Sequence, residues 1–574
     1  MEDIIKNNIS NDLYTDRNKT MMQDFEWYLK PDKRHWNRVA AEAKTLRNSG
    51  ITAVWLPPAY KGASGAQDVG YAVYDLYDLG EFNQKGTVET KYGSKDEYLA
   101  AVRALQAQGI EVLADVVLGH KMGADEQERI FAYGQDEYDR NREIAGKRKI
   151  TVWTKFTFPG RNGKYSDFKW DWTNFHGTDF DAKSQENGIY RFIGKEWDSE
   201  VDGEFGNYDY LMGVDLDMSD EEVVEELQRW GEWYFAFTGV DGFRLDAVKH
   251  IDFGFYKNWL TQLRQKFDKP IFAVGEYWNA ELGILENYIQ KTDGVLSLFD
   301  VPLHFNMYHA SVSNGYYDMR YILKRTLLSS RPELAVTFVD NHDTQPGQAL
   351  ESYVLGWFKL HAYCLILLRE EGYPCVFYGD YYGVPHNGLE PVTGLKTLME
   401  LRRDAAYGVQ HDYFNHPKII GWTREGLDEL EGSGFAVIMT VEKGGTKRMY
   451  AGRHFAGCVF TDVLNHVKET VKIDKNGYGE FSVEDGSVSV WKPKKGEKTG
   501  KRALITKDKS IQNEENEFGR FENGIFRDNI EVSAYAEVTD GVEPRLFYGS
   551  NYTHMRDEVK EEEETEDEKV PVDE

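Results

Sequence analysis

Cysteine is scarce in this sequence, with only Cys364, Cys375 and Cys458 among 574 residues. Their spacing does not match a zinc site, and three widely separated cysteines do not make the disulfide framework of a small secreted domain. We therefore expect no disulfide framework and no zinc centre. The three side chains are predicted to be buried as small apolar groups.

Positively charged residues are fewer than negatively charged ones. The sequence has 68 Lys and Arg residues and 97 Asp and Glu residues, and its formal net charge is -29. Such a polyanion repels nucleic acids and anionic membrane surfaces, but not a neutral polymer. No apolar run reaches membrane-spanning length, and the first residues, MEDIIK, lack the basic and apolar regions of a signal peptide. We expect a cytoplasmic protein with no nucleic-acid or membrane partner.

Regular alternation is what the sequence has in abundance. Through the first two thirds of the chain, short apolar runs alternate with helical patterns, which is typical of βα units around a parallel sheet. Within 222–236, for example, Val224, Leu227 and Trp230 recur at helical spacing, and Gly239 follows as a stop signal. Six apolar runs are predicted to be strands: 51–56, 110–117, 240–247, 271–276, 335–339 and 375–378.

Three regions depart from this alternation. Residues 119–215 are irregular and rich in Asp, Gly, Trp and Tyr, which predicts an inserted subdomain, and long insertions of this kind often carry function. Residues 395–494 contain short alternating segments between glycine turns, which predicts an antiparallel β domain. Residues 495–574 are a polar extension with an acidic end that is predicted to be disordered, and we assign it no role.

One predicted strand carries an arginine and a carboxylate on the same face. Strand periodicity places Arg244 and Asp246 together, while Phe243 and Leu245 point to the opposite face. In a barrel of parallel strands this pair would lie at the carboxyl end, where such folds hold their active sites. The guanidinium would favour the charged form of Asp246, as a nucleophile requires. Taken alone, the pair also fits an ordinary buried ion pair.

The ends of two further predicted strands favour a catalytic site over a structural ion pair. The run 271–276 ends in Glu276, and the run 335–339 is followed closely by Asp343. Crowding of carboxylates raises the pKa of at least one of them and keeps a general acid protonated. Hydrolysis of a glycosidic bond with retention needs a nucleophile, which fits Asp246, and a proton donor, which fits Glu276. Asp343 and His342 would stabilise the positive charge that develops on the sugar.

Four motifs in this order resemble the α-amylase family, glycoside hydrolase family 13, and most of all its bacterial liquefying and intracellular members. They are DVVLGH (115–120), GFRLDAVKH (242–250), GEYW (275–278) and FVDNHD (338–343). The similarity extends from about residue 22 to residue 490. The resemblance implies a (β/α)8 barrel formed by 1–118 and 216–394, an inserted B domain at 119–215 and the C-terminal β domain at 395–494.

The family's motifs also imply roles for individual residues. Asp246, Glu276 and Asp343 would be catalytic, in agreement with the chemical interpretation above. The substrate, an α-1,4-glucan, would be bound by side chains around the cleaved bond and on the leaving-group side: Tyr71, His120, Arg244, Lys249, His250, Trp278 and His342. Individually, such aromatic and histidine residues are more often structural.

A calcium ion is the cofactor that the resemblance implies, held by Asp209, Asp215 and the carbonyl of His250, with Asp198 at another acidic position nearby. Two expected ligands are missing, because Gly119 stands in place of an asparagine and His176 in place of an aspartate. Calcium requires six to eight oxygen ligands. We therefore predict weak or absent calcium dependence, with Asp209 and Asp215 paired to protein cations instead.

Two other functions fit parts of the sequence. A noncatalytic glucan-binding protein would keep the barrel, but all three carboxylates and Arg244 are present. An exo-acting α-glucosidase or a glucanotransferase of the same family would share the catalytic residues and differ in its loops. The sequence leaves the preferred glucan and the oligomeric state open.

Overall fold

The computed structural model describes residues 18–496, 499–500, 521–522 and 525–526. In the second of the two units into which the chain divides, Ile511–Glu574, Phe521–Glu522 pairs antiparallel with Ile525–Phe526. The predicted disorder of the acidic terminus lies outside the described residues. Among the residues that are described, no helix is long and apolar enough to cross a membrane.

Eight parallel strands close into a barrel, which confirms the predicted (β/α)8 fold. The strands are β1 (Met21–Gln23), β2 (Ala53–Leu56), β3 (Glu111–Val116), β4 (Gly242–Leu245), β5 (Phe272–Gly275), β6 (Ser297–Phe299), β7 (Ala335–Phe338) and β8 (Tyr373–Phe377). The order around the barrel is β1-β8-β7-β6-β5-β4-β3-β2, so that the first strand closes the ring between β2 and β8.

Ten α-helices lie within the described residues, most of them packed around the barrel. The predicted helix at 222–236 is present, and it starts where the Asp220 side chain accepts a hydrogen bond from the Glu222 amide and ends at Gly239, with φ of 71°. The helices are α1 (His35–Asn48), α2 (Lys95–Gln106), α3 (Glu221–Thr238), α4 (Phe253–Phe267), α5 (Leu282–Lys291), α6 (Val301–Val312), α7 (Leu327–Ser330), α8 (Lys359–Leu367), α9 (Tyr378–Tyr382) and α10 (Leu395–Ala405).

Two antiparallel regions complete the fold. Between β3 and β4 the chain forms a six-stranded inserted sheet, in the order His120–Lys121, Val214–Leu216, Phe175–Asp181, Glu186–Phe192, Glu126–Gln135 and Glu143–Lys155. After α10 a second sheet has the order Gln410–Tyr413, Ile419–Arg424, Phe435–Thr440, Val488–Pro493, Val459–Asp462 and Val471–Lys472, and Gly445–Tyr450 pairs with Tyr478–Val483 beside it. The antiparallel C-terminal domain is thus confirmed, whereas the domain boundaries at 118, 215, 394 and 494 stay a prediction.

Six barrel strands coincide with the predicted runs, and two were missed. Strands β1 and β6 have only three residues each, MMQ and SLF, so neither stands out as an apolar run. The three cysteine side chains are buried, as predicted.

Candidate active site

The register of three neighbouring strands brings the predicted catalytic residues together. Arg244 on β4 pairs with Asp115 on β3, and Leu245 pairs with Gly275 on β5. Asp246 and Glu276, which directly follow the second pair, therefore leave adjacent strands at the same end of the barrel. This is the carboxyl end, where barrel enzymes bind their substrates.

Arg244 is the centre of the cluster. Its Nη1 atom lies 2.9 Å from Asp115 Oδ1 and 2.6 Å from Asp246 Oδ1, and its Nη2 atom lies 2.5 Å from Glu276 Oε2. The arginine and Asp115 side chains are fully buried, whereas the Asp246 side chain keeps 12% of its surface exposed. One planar guanidinium thus orients three carboxylates at once.

Asp343 enters the site from the loop after β7. An Asx turn shapes this loop, because the Asn341 side chain accepts a hydrogen bond from the Asp343 amide at 2.8 Å. The Asp343 carboxylate lies 3.2 Å from His342 Nε2, and the other ring nitrogen of His342 is 2.9 Å from the Gln23 amide nitrogen. Strand β1 therefore holds the histidine that contacts the third predicted catalytic carboxylate.

Burial raises the pKa of all three predicted catalytic carboxyls. Burial is the largest influence on Asp246, and Arg244 opposes it, as the sequence predicted. For Glu276 burial is reinforced by the charge of Asp246 and opposed by Arg244 and Lys249. For Asp343 burial and the negative charges of Glu276 and Asp246 together raise the pKa well above its usual range. A proton shared within this cluster is thus retained to higher pH than on an isolated carboxyl.

An aromatic wall borders the carboxylates. The rings of Tyr71 and His342 stack with centroids 5.0 Å apart, and Trp27 lies 6.0 Å from each of them in a nearly parallel orientation. Trp27 and Tyr71 are half-buried, so part of each ring is accessible. Flat aromatic faces beside polar groups suit the apolar face and hydroxyl edges of a pyranose ring.

The other predicted substrate-binding residues surround this centre. His120 Nε2 lies 2.8 Å from the Tyr71 carbonyl oxygen, and burial lowers the pKa of the ring. Lys249 Nζ bonds Glu204 at 2.9 Å and the Trp278 carbonyl at 3.3 Å. The Nδ1 atom of His250 lies 2.7 Å from the Tyr208 carbonyl oxygen in the inserted region.

Sequence reasoning assigned no role to several residues of this site. Asp115 accepts hydrogen bonds from Trp55 Nε1 at 2.9 Å and the Tyr71 hydroxyl at 2.8 Å, and burial raises its pKa to about 7. Asp115 lies near the end of the predicted run 110–117, as Glu276 lies at the end of the run 271–276. This position could have identified Asp115 as a site residue. Trp27 and Gln23 gave no comparable signal, since both lie in or beside the short strand β1 that was missed.

A second buried cluster lies at the base of the inserted sheet, where the calcium ligands were predicted. His176 Nδ1 is 3.0 Å from both Asp209 and Asp215, and its Nε2 atom is 2.9 Å from Asp217 and 3.8 Å from Asp198. Burial lowers the pKa of His176, but its contacts with Asp209, Asp215 and Asp217 outweigh burial and raise it well above the usual range. By donor type, this group of one imidazole and four carboxylates could also hold a metal ion.

Comparison with known proteins agrees with this architecture. Residues 35–412 match the family model described as "Alpha amylase, catalytic domain", and residues 444–492 match "Alpha-amylase C-terminal". An alpha-amylase of Geobacillus stearothermophilus is 56% identical over 481 residues, covering 83% of this chain and 87% of the relative. The cytoplasmic alpha-amylase of Escherichia coli (strain K12) is 43% identical over 490 residues, covering 83% and 99%.

Solved structures agree on the fold. The alpha-amylase from Geobacillus thermoleovorans complexed with acarbose superposes with a TM-score of 0.53 at 18% identity, covering 84% of this chain and 99% of that chain. On the sequence matches, which extend over the barrel and the C-terminal domain, the chain belongs to the α-amylase family.

Proposed function

We propose that this protein hydrolyses internal α-1,4-glucosidic bonds of starch, glycogen or maltodextrins with net retention of configuration. The observation that carries the proposal is the contact of one guanidinium, Arg244, with Asp246 and Glu276 at the ends of adjacent barrel strands. Two carboxyls held side by side in this way meet the requirement of a retaining glycosidase for a nucleophile and an acid/base.

The proposed reaction has two steps. First, the Asp246 carboxylate forms a bond to the anomeric carbon while the bond to the glycosidic oxygen breaks, and Glu276 transfers its proton to that leaving oxygen. Then Glu276 takes a proton from a water molecule, whose oxygen attacks the anomeric carbon and releases the Asp246 carboxylate. Asp343 stabilises the positive charge of both oxocarbenium-like transition states, since it lies in the same carboxylate cluster.

The raised pKa of Glu276 supports its role as the proton donor, because burial and the nearby charge of Asp246 both favour the protonated form. Asp246 contacts Nη1 of Arg244, whose charge opposes the effect of burial on the pKa of this carboxyl and supports the charged form that a nucleophile needs. Tyr71 and Trp27 offer partly accessible ring faces for the sugar, while His120, Lys249, His250, Trp278 and His342 are proposed to bind around it. A cytoplasmic location is proposed by analogy with the Escherichia coli relative, whose name states it.

A time course of products from soluble starch and from maltoheptaose tests the proposal. We compare the wild type with Glu276→Gln and with a matched control, Glu281→Gln, whose side chain is exposed before α5. A ladder of maltooligosaccharides, released in the α configuration and lost only in Glu276→Gln, is the expected result. Release of glucose alone, longer transfer products or no cleavage would instead indicate the exo-acting, the glucanotransferase or the glucan-binding alternative.

A further inference from the structure

In the inserted region, four aspartates surround one histidine. His176 lies on Phe175–Asp181, and the neighbouring strand pairs Asp215 with Gly177, which brings Asp215 beside the ring. Asp217 follows that strand, and Asp198 and Asp209 come from the loop before it. His176 and these aspartates are each at most 9% exposed.

Four carboxylates buried together are costly unless a cation compensates them. His176 contacts Asp209, Asp215 and Asp217 within 3.0 Å, whereas Lys195 reaches only Asp217, at 2.5 Å. The Nδ1 atom of His176 is within hydrogen-bond distance of Asp215 at 3.0 Å, whereas Nε2 faces Asp217 at 2.9 Å without hydrogen-bond geometry. A positive charge on this ring would compensate the carboxylates on both of its sides.

The same cluster does not fit calcium. Calcium takes six to eight oxygen ligands, whereas here imidazole nitrogens lie 2.9–3.0 Å from carboxylate oxygens of Asp209, Asp215 and Asp217. Asp198 Oδ2 is a buried oxygen without a hydrogen-bond partner among the described residues, but one such oxygen is far from a calcium shell. The imidazole ring itself occupies the space between the carboxylates.

The position of the missing asparagine shows a second obstacle. A Cβ atom at Gly119 would lie 3.2 Å from two side-chain carbons of Ile251, so an apolar side chain adjoins the place where an oxygen ligand would stand. The Gly119 carbonyl is also engaged, because it accepts a hydrogen bond from the Leu216 amide at 3.0 Å. The chain therefore lacks this ligand, and a side chain at position 119 would require Ile251 to shift.

We propose that the side chain of His176 replaces a metal ion within the inserted region, so that this region is stable without calcium. The ring joins three segments that a metal ion would otherwise join: the strand Phe175–Asp181, the loop carrying Asp198 and Asp209, and the strand Val214–Leu216. The proposal concerns stability and metal content, and it holds or fails independently of the proposed glucan hydrolysis.

Metal analysis and thermal unfolding of the full-length wild type test the proposal directly. After dialysis against calcium chloride and then against metal-free buffer, we expect less than one equivalent of calcium, sodium or zinc by mass spectrometry. We also expect the same Tm in EDTA and in calcium chloride. A stoichiometric metal, or a Tm that EDTA lowers and calcium restores, would overturn the proposal.

The variant His176→Asp exchanges the internal cation for a fifth carboxylate. We expect its Tm in EDTA to fall by about 5–10 °C, because the buried carboxylates lose their compensating charge, and we expect calcium to restore most of the loss. Asn187→Asp, which adds a carboxylate to an exposed position of the same sheet, is the control and should respond to neither reagent.

His176→Gln covers the case in which His176→Asp does not fold. This neutral variant should also lose Tm in EDTA, since an amide cannot compensate four carboxylates. An unchanged Tm for His176→Gln in EDTA would show that the ring does not replace a metal and would refute the proposal.

Discussion

The Nη2 atom of Arg244 lies 2.5 Å from Oε2 of Glu276, while Nη1 of the same side chain contacts Asp246. The arginine that the sequence paired with the nucleophile is therefore shared with the proton donor. Both carboxyls feel its charge, and what separates their protonation states is the rest of the environment, with Asp246 and Lys249 acting on Glu276. This sharing leads to the first prediction.

Arg244→Met should destabilise the fold by about 3–5 kcal/mol, because it leaves three buried carboxyls without their cation. Arg244→Lys should recover part of that loss but not the activity, since one ammonium lacks the planar fork that reaches all three. Urea unfolding and kcat on maltoheptaose are the measurements, with the exposed pair member Arg320→Met as control. Full activity of Arg244→Lys would contradict this interpretation.

Asp246→Asn and Glu276→Gln should differ in their response to the leaving group. We expect Glu276→Gln to lose about 10²–10⁴ in kcat on a maltooligosaccharide but far less in the initial release of fluoride from α-maltosyl fluoride, because fluoride leaves without a proton. Asp246→Asn should lose activity on both substrates, since neither can react without the nucleophile. Equal losses for Glu276→Gln on both substrates would show that Glu276 is not the proton donor.

The alkaline limb of the pH profile should respond to Lys249. Glu276 must be protonated to act as the acid, so activity is lost as the pH rises through its pKa, which the Lys249 charge lowers. Lys249→Met should therefore move the alkaline limb of kcat/KM to higher pH. Lys257→Met, which removes a solvent-accessible ammonium paired with Asp293, should leave it in place. A shift to lower pH would show that another group controls this limb.

Asp24 should make the fold less stable as the pH rises from about 4 to about 8. This buried carboxyl follows β1, and burial together with the charge of Glu42 raises its pKa from 3.8 to about 8. The folded state therefore binds the proton more tightly than the unfolded state, and that stability is lost between about pH 4 and pH 8. Asp24→Asn, which mimics the protonated form, should gain stability relative to the wild type by up to about 1.4 kcal/mol per pH unit over this range.

Urea unfolding at three pH values tests the Asp24 prediction. The difference between Asp24→Asn and the wild type should grow from pH 5 to pH 8 and then level off. Asp96→Asn, at an exposed position in the first turn of α2, provides the baseline. A constant difference across the range would mean that Asp24 is ionised in the folded state.

Much of the fold and of the predicted catalytic cluster could be read from the sequence, because both depend on local patterns. Six barrel strands lie in predominantly apolar runs, and Asp246 and Glu276 directly follow two of these strands. Networks assembled from distant segments could not be found in this way. Lys359 on α8 is buried between Asp340 and Asp380, at 2.5 Å and 2.7 Å, and no spacing in the sequence links these three residues.

The histidine cluster also shows what could be predicted from the sequence and what could not. The substitutions at Gly119 and His176 are visible in the sequence, and they predicted that calcium would be bound weakly or not at all. The partner of Asp209 and Asp215 was foreseen only as an unnamed protein cation. That one ring reaches both aspartates and also Asp217 depends on the pairing of two strands separated by a long loop.

The place of β1 in the ring has a consequence for biosynthesis. Met21 pairs with Ala53 on one side and with Cys375 on the other, so the second partner is made only after the whole inserted sheet and most helices have left the ribosome. Until then any sheet formed by the barrel strands already made has an unpaired edge, which is a template for pairing with other chains. Closure of the barrel is therefore a late, long-range event that must outpace self-association of the nascent protein.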